Sequence, residues 1–186
     1  MKHWQTTRFL ALLRGINVGG NHIIKMNDLK NAFEGMGFTD VVTYIQSGNV
    51  IFSADGEKTS LTAAIEKHLS QKFHYEASMA LLTAGEMEAV IAHIPKGFGN
   101  DPEEYRYDVW FVKPPLTVGQ LMPQVRIKEG VDTVERGENV LYTSRLIAQA
   151  GKSYLIKVIQ QPAYRYITIR NWNTTRKLNE IMNYQK

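Results

Sequence analysis

The chain of 186 residues contains no cysteine. That single absence excludes disulfide staples, thiolate metal sites and a cysteine nucleophile. Long apolar runs are missing too: no stretch approaches the ~20 apolar residues that crossing a bilayer requires. The segment Met1–Thr7 shows no apolar run ahead of a small-residue cleavage site, so no secretory leader is expected. Together these absences point to the cytoplasm, with no membrane partner. A stripe of one charge is also lacking. Lys and Arg number 22 against 18 Asp and Glu, a net charge of +4, yet the longest basic cluster is Arg176-Lys177. Domains that grip nucleic acid gather their basic residues on one face. The surplus therefore reads first as a solubility charge, with a nucleic-acid surface second.

What is present suits a folded protein. Hydrophobic residues make up 44% and charged residues 22%, enough to build a core and too apolar for disorder. The length fits one compact unit or two small fused subdomains.

Residues 7–13 (Thr-Arg-Phe-Leu-Ala-Leu-Leu) form an apolar run of strand length, the pattern of a central strand covered on both faces. Arg14 to Asn21 is a loop by its glycines and asparagines. A helix follows, with Asn27 as its cap and Leu29, Ala32, Phe33 and Met36 on one face, stopped by Gly37. Strands are expected at 41–45 and 50–53 around the turn Gln46-Ser47-Gly48-Asn49. Thr59 or Ser60 would cap a second helix with the stripe Leu61, Ala64, Ile65, His68, Leu69. A strand at 78–83 and a helix at 86–94 close the first half.

The order β-α-β-β-α-β is the ferredoxin-like arrangement. The second half is expected to repeat it, with strands at 105–112, 131–135, 140–143 and 164–169. Short helical segments are expected at 117–122 and 153–160, and an added C-terminal helix at 174–182. The expectation is an α+β fold of two tandem ferredoxin-like halves. They span 1–95 and 96–186, joined through the loop at 97–102.

Topology gives the first loop a neighbour. In a β-α-β-β-α-β unit the loop after strand 1 and the turn between strands 2 and 3 share one end of the sheet. So does the connection around Lys72 to Tyr75. Arg14, Gly15, Asn17, Gly19, Gly20, Lys25, Gln46, Ser47 and Asn49 should therefore converge. Glycines open the backbone N–H groups there, and Arg14 and Lys25 supply charge, a set that suits phosphate or carboxylate. No Gly-Lys-Ser/Thr closes the loop as in a P-loop, and Gly15, Gly19 and Gly20 miss the G-x-G-x-x-G spacing. The competing reading is a loop that only turns the chain, although it is longer than a β-α connection needs.

No residue stands out as catalytic. Ser47 lacks the G-x-S-x-G elbow and needs a base from elsewhere. His3, His22, His68, His74 and His93 show no i, i+4 pair, so no metal site is expected. His68 reads as a satisfied core histidine, and His22 and His74 are the histidines expected near the loop edge. The strand at 105–111 alternates aromatic residues as a sheet face. Asn49 to Ser53 lacks the basic RNP-type pattern of an RNA reader. In the late run Arg170-Asn171-Trp172-Asn173-Thr174, Asn173 or Thr174 could cap the last helix, and Trp172 reads as a core staple.

Several of these segments also carry a family resemblance. Leu12-Leu13-Arg14-Gly15-Ile16-Asn17-Val18-Gly19-Gly20, Lys25-Met26, Asp28-Leu29, Gly37-Phe38-Thr39-Asp40-Val41, Tyr44 to Val50 and Arg170 to Thr174 resemble the bacterial family called domain of unknown function 1697. The resemblance spans nearly the whole chain. It implies two fused ferredoxin-like halves, and no established activity, substrate or cofactor. Between Arg145 and Tyr166 the chain departs from the family's more basic, Ser-rich pattern. The matching segments add Arg170 and Asn171 to the loop edge, and both are expected close to Arg14, Asn17 and Gln46.

Three functions follow as expectations. The first is a site for a small molecule bearing phosphate or carboxylate. The second is a nucleic-acid-binding module. The third is a non-catalytic scaffold or homodimerisation domain whose loop is structural.

Overall fold

The computed structural model describes residues 6–20 and 22–184. The N-terminal residues 1–5, with His3, and Asn21 of the glycine loop lie outside the described residues.

The first sheet follows from the apolar run. Strand β1 (Thr7–Leu13) is central: it pairs antiparallel with β3 (Asn49–Ala54) on one side and β4 (Met79–Thr83) on the other. Strand β2 (Thr39–Tyr44) pairs with β3, giving the order β2-β3-β1-β4. Phe9 to Leu13 are all buried, which is why no polar alternation is visible in that run. Phe9, Ala11 and Leu13 meet Val50 and Phe52 under two helices, α1 (Met26–Gly35) and α2 (Lys58–Phe73). Phe9 pairs with Phe52 in register, and Phe33 and Phe38 complete the aromatic cluster at 5.2 and 4.7 Å from Phe52. The helix α3 (Ala84–Ala92) follows β4.

Two expected caps are not used. Lys25 stands at the N-cap of α1 and Glu57 at that of α2, neither through a side-chain bond. Asn27 and Thr59 lie inside the helices. The start of α1 is fixed from outside, because the N–H of buried Ile24 is held by the Asn17 side chain. The first turn of α2 is tied down by Lys58, whose Nζ reaches both carboxylate oxygens of Glu86 at 2.6 and 2.7 Å. The inward stripe of α2 is Leu61, Ile65 and Leu69; Ala64 is exposed. His68 is half-buried, and its Nε2 is buried without a hydrogen-bond partner, so it is not the satisfied histidine expected.

The second sheet has the same plan. Strand β5 (Tyr105–Val112) lies between β7 (Val140–Leu146) and β8 (Ile167–Asn171), with β6 (Asp132–Arg136) at the edge, in the order β6-β7-β5-β8. The short helix α4 (Val118–Leu121) is closed by a capping box between Thr117 and Gln120. The helix expected at 153–160 is instead part of a chain of 3₁₀ segments, Ile147–Lys152, Leu155–Gln160 and Pro162–Tyr166. The last of these delays β8 to Ile167, three residues beyond its expected start. Gly151 and Pro162 punctuate this stretch, and Ile156, Val158 and Ile159 are β-branched, which disfavours a continuous α-helix.

The helix α5 (Trp172–Asn183) ends the described fold. The protein is thus α+β, with two four-stranded antiparallel sheets in two similar halves. Its division differs from the expected break near residue 95. One unit comprises the chain up to Met87 together with the stretch from Leu178 onward, and the other is Glu88–Lys177. Among the described residues, no helix is long and apolar enough to cross a membrane.

Candidate functional site

The first unit brings its loop and turn together as topology requires. Leu13 N–H donates to the carbonyl of Gly48 at 2.8 Å, and Arg14 N–H donates to that of Ser78 at 2.9 Å. Asn17, at φ +54°, is the clasp. Its side-chain nitrogen donates to the carbonyls of Ile24 at 2.9 Å and Gln46 at 2.8 Å, while its oxygen accepts the Ile24 N–H at 2.8 Å. Three of the four bonds that an Asn side chain can make are thereby spent on backbone. Asn49 is fully buried and closes the turn, donating to the Tyr44 carbonyl at 2.9 Å and to Ser47 Oγ at 3.0 Å. Gly48 lets the two segments touch: a Cβ there would meet Ile16 Cδ1 at 2.6 Å. Ile16 is buried, so the loop is pinned from below as well. The connection after α2 reaches the same end, where the His22 ring lies 5.2 Å from that of Tyr75.

With Asn17 and Asn49 occupied, other groups face solvent. Gly15, Gly19 and Gly20 sit at φ +73°, +59° and +78° with open space where a Cβ would project. Lys25 and Gln46 are exposed, and Arg14, next to Gly15, is half-buried. Asp28 in the first turn of α1 already offers that helix end a negative group. Anion affinity at this edge would therefore rest on the loop amides and the two cations.

Sequence reasoning missed an apolar component. Val18, Ile23 and Ile45 are 63%, 77% and 46% exposed along this edge. Ile45 also occupies φ +48°, a left-handed conformation rare for a β-branched residue. Each stands next to a loop residue already singled out, so the signal was an apolar side chain inside a polar run.

Arg170 and Asn171 belong to the second unit, and each has a task there. Asn171 caps α5, its Oδ1 accepting the Thr174 N–H at 2.7 Å. This replaces Asn173 or Thr174 as the expected cap. Arg170 is buried, with one guanidinium nitrogen donating to the Ile169 carbonyl at 2.9 Å. Burial pulls its pKa down to about 10, so it stays charged at neutral pH. Trp172 is the core staple expected: it is buried, stacks edge-on with Phe98 at 5.4 Å, and leaves no room for a Cβ at Gly99. Among the described residues, no three His, Asp or Glu side chains converge as metal ligands would.

The chain belongs to the protein family of unknown function DUF1697, whose family model matches residues 6–142. That is the family its glycine motifs resemble. No curated protein matches it. Its fold is similar to that of the conserved bacterial protein SP0830 from Streptococcus pneumoniae, with a TM-score of 0.86 and 27% identity over 96% of this chain and 100% of that one.

Proposed function

We propose that the loop edge of the first unit is a ligand site for a small molecule bearing a phosphate or carboxylate group, working in the cytoplasm. The observation that carries this reading is the combination of open left-handed glycines with a rigid frame. Gly15, Gly19 and Gly20 leave their backbone bare, while the Asn17 clasp and buried Ile16 fix its course. Loop amides already held in position bind an anion without first ordering the loop. Arg14 and Lys25 add charge to the same edge. The strand orders β2-β3-β1-β4 and β6-β7-β5-β8 support ferredoxin-like halves as the scaffold.

Thermal-shift titration with inorganic phosphate, nucleotides and sugar phosphates tests the reading. A ligand at a hundred times its Kd stabilises by about 2.7 kcal/mol. That stabilisation should fall in Lys25→Ala and Gln46→Ala, two exposed positions that the fold does not need. No stabilisation across the panel overturns it.

A second reading, homodimerisation through this edge, is supported by the exposed Val18, Ile23 and Ile45. Sedimentation of the native chain and of Ile23→Ser separates the two. A dimer that dissociates on this substitution favours association over ligand binding. Retention on nucleic acid at low salt, lost as salt rises, would favour the nucleic-acid alternative instead.

A further inference from the structure

The second unit carries a cleft of about 190 Å³ on one face of its sheet. Its floor follows from strand alternation. Arg106, Asp108 and Trp110 point the same way along β5, beside Thr143 and Arg145 of β7 and Ile169 of β8. Its wall is the 3₁₀ segment Leu155–Gln160, which contributes Leu155, Ile156, Val158 and Ile159.

The charges on the floor are unevenly used. Arg106 Nε donates to both oxygens of Asp108, at 2.9 and 3.3 Å, so that pair is neutral. Arg145 is directly across from Arg106 in register. Two like charges in this position repel unless something lies between them. Arg145 also has a carboxylate on its other flank, Asp132 of β6, its register partner. The two form no ion pair. Asp132 spends Oδ2 on the N–H groups of Lys128 and Tyr154, at 2.9 and 2.8 Å, and its Oδ1 is buried without a partner. Arg145 is half-buried and lines the cleft instead.

One uncommitted guanidinium therefore faces a cavity whose lining charges sum to +1. Apart from Thr143, whose hydroxyl donates to the Asp108 carbonyl at 3.2 Å, the rest of the lining is apolar: Trp110 is buried, and Ile156 and Ile159 are 59% and 51% exposed at its rim. A guanidinium fork matches a carboxylate in two parallel bonds. A single positive charge balances a monoanion better than a phosphate dianion. The volume lies below the about 300 Å³ at which drug-sized sites begin, so the occupant is small.

We propose that this cleft binds a small organic monocarboxylate with an apolar body, its carboxylate on Arg145 and its hydrocarbon part against Trp110, Ile156 and Ile159. This site is independent of the loop edge of the first unit.

The test uses the full chain and NMR titration with hexanoate and phenylacetate up to about 10 mM, where binding of only about −3 kcal/mol is visible, with hexanamide as the neutral control. Both acids should shift the Trp110 indole N–H, and hexanamide should not. Arg145→Gln should weaken hexanoate binding by roughly tenfold or more, the loss of a charge-assisted pair. Ile156→Ser, at an exposed position, should weaken it a few-fold and decides the matter if Arg145→Gln fails to fold. The proposal is overturned if neither acid shifts Trp110, if hexanamide binds as well as hexanoate, or if a folded variant keeps full affinity. Shifts confined to the Gly15–Gly20 amides also overturn it, while supporting the loop edge as an anion site.

Discussion

The two units share a strand order and differ in how they cover their sheets. In the first, β3 and β4 are joined by the 16-residue helix α2, which lays Leu61, Ile65 and Leu69 onto the core. In the second, β7 and β8 are joined by three 3₁₀ segments, which bury Leu155, Val158 and Ala163 but leave Ile156 and Ile159 outside. A regular helix presents one continuous stripe and seals the face beneath it. A chain of 3₁₀ turns changes direction too often to do so, and a cleft remains. The same layout thus yields a closed core in one half and an amphipathic cavity in the other.

Substitutions in the two connections give the largest expected contrast. Ile65→Ala removes a fully buried side chain and should cost about 2–5 kcal/mol in urea unfolding. Ile159→Ala, at the cleft rim, should stay within about 0.5 kcal/mol. Equal losses would mean that the 3₁₀ wall is packed as tightly as α2.

Two buried tyrosines sharpen the contrast next. Burial raises both phenols to a pKa of about 12, with Glu66 adding to the effect at Tyr75. Tyr142 donates to the Val90 carbonyl at 2.7 Å, while the Tyr75 hydroxyl is buried without a partner. Tyr142→Phe should therefore cost about 1–3 kcal/mol, the penalty for an orphaned carbonyl. Tyr75→Phe should be neutral or stabilising, read from the same denaturation curves.

Helix starts give a smaller effect. Asn171→Ala should cost about 1 kcal/mol by removing the cap of α5. Asn27→Ala should cost next to nothing, since α1 starts without a side-chain cap. A loss at Asn27 as large as that at Asn171 would contradict the assigned helix ends.

The smallest effect is electrostatic. Burial pushes the Glu86 carboxyl up, but bonds from Lys58 and from the N–H and hydroxyl of Thr83 outweigh it and hold it below its ordinary value. A carboxyl with a lower pKa in the folded chain stabilises above its unfolded value and loses that stabilisation as pH falls through the folded one. The urea midpoint should drop on acidification below about pH 4.5, less steeply in Glu86→Gln. The pair is about two-fifths exposed, so the contribution stays under about 1 kcal/mol.

Much of this was legible from local pattern. The apolar run at 7–13, the turn at 46–49 and strand β5 were found because sequence spacing and burial coincide there. The convergence of Arg14–Gly20 with Gln46–Asn49 followed from strand direction alone. Caps were misread because Asn and Ser side chains suit many turn positions, and what fixed α1 and α2 were contacts from Asn17 and Glu86, distant along the chain. The 153–160 segment was misread because Ile, Val and Leu fit a buried helix as well as a 3₁₀ wall, and only tertiary packing decides between them. The roles of Asn17 and Asn49 were invisible for the same reason: an Asn in a glycine loop looks alike whether it faces a ligand or clasps the backbone. The cleft escaped because its residues come from three strands and a connection that periodicity does not align.

The division of the chain has a consequence for how the protein is made. The first unit takes its closing stretch from Leu178 onward, after the whole of Glu88–Lys177. A ribosome adding about 5–20 residues per second needs several seconds to deliver those intervening residues. Throughout that interval the first unit exists without its last piece, and the second is complete in sequence at Lys177, before that piece is made. Order of synthesis and order of completion are therefore inverted: the half that emerges first is the half that is finished last.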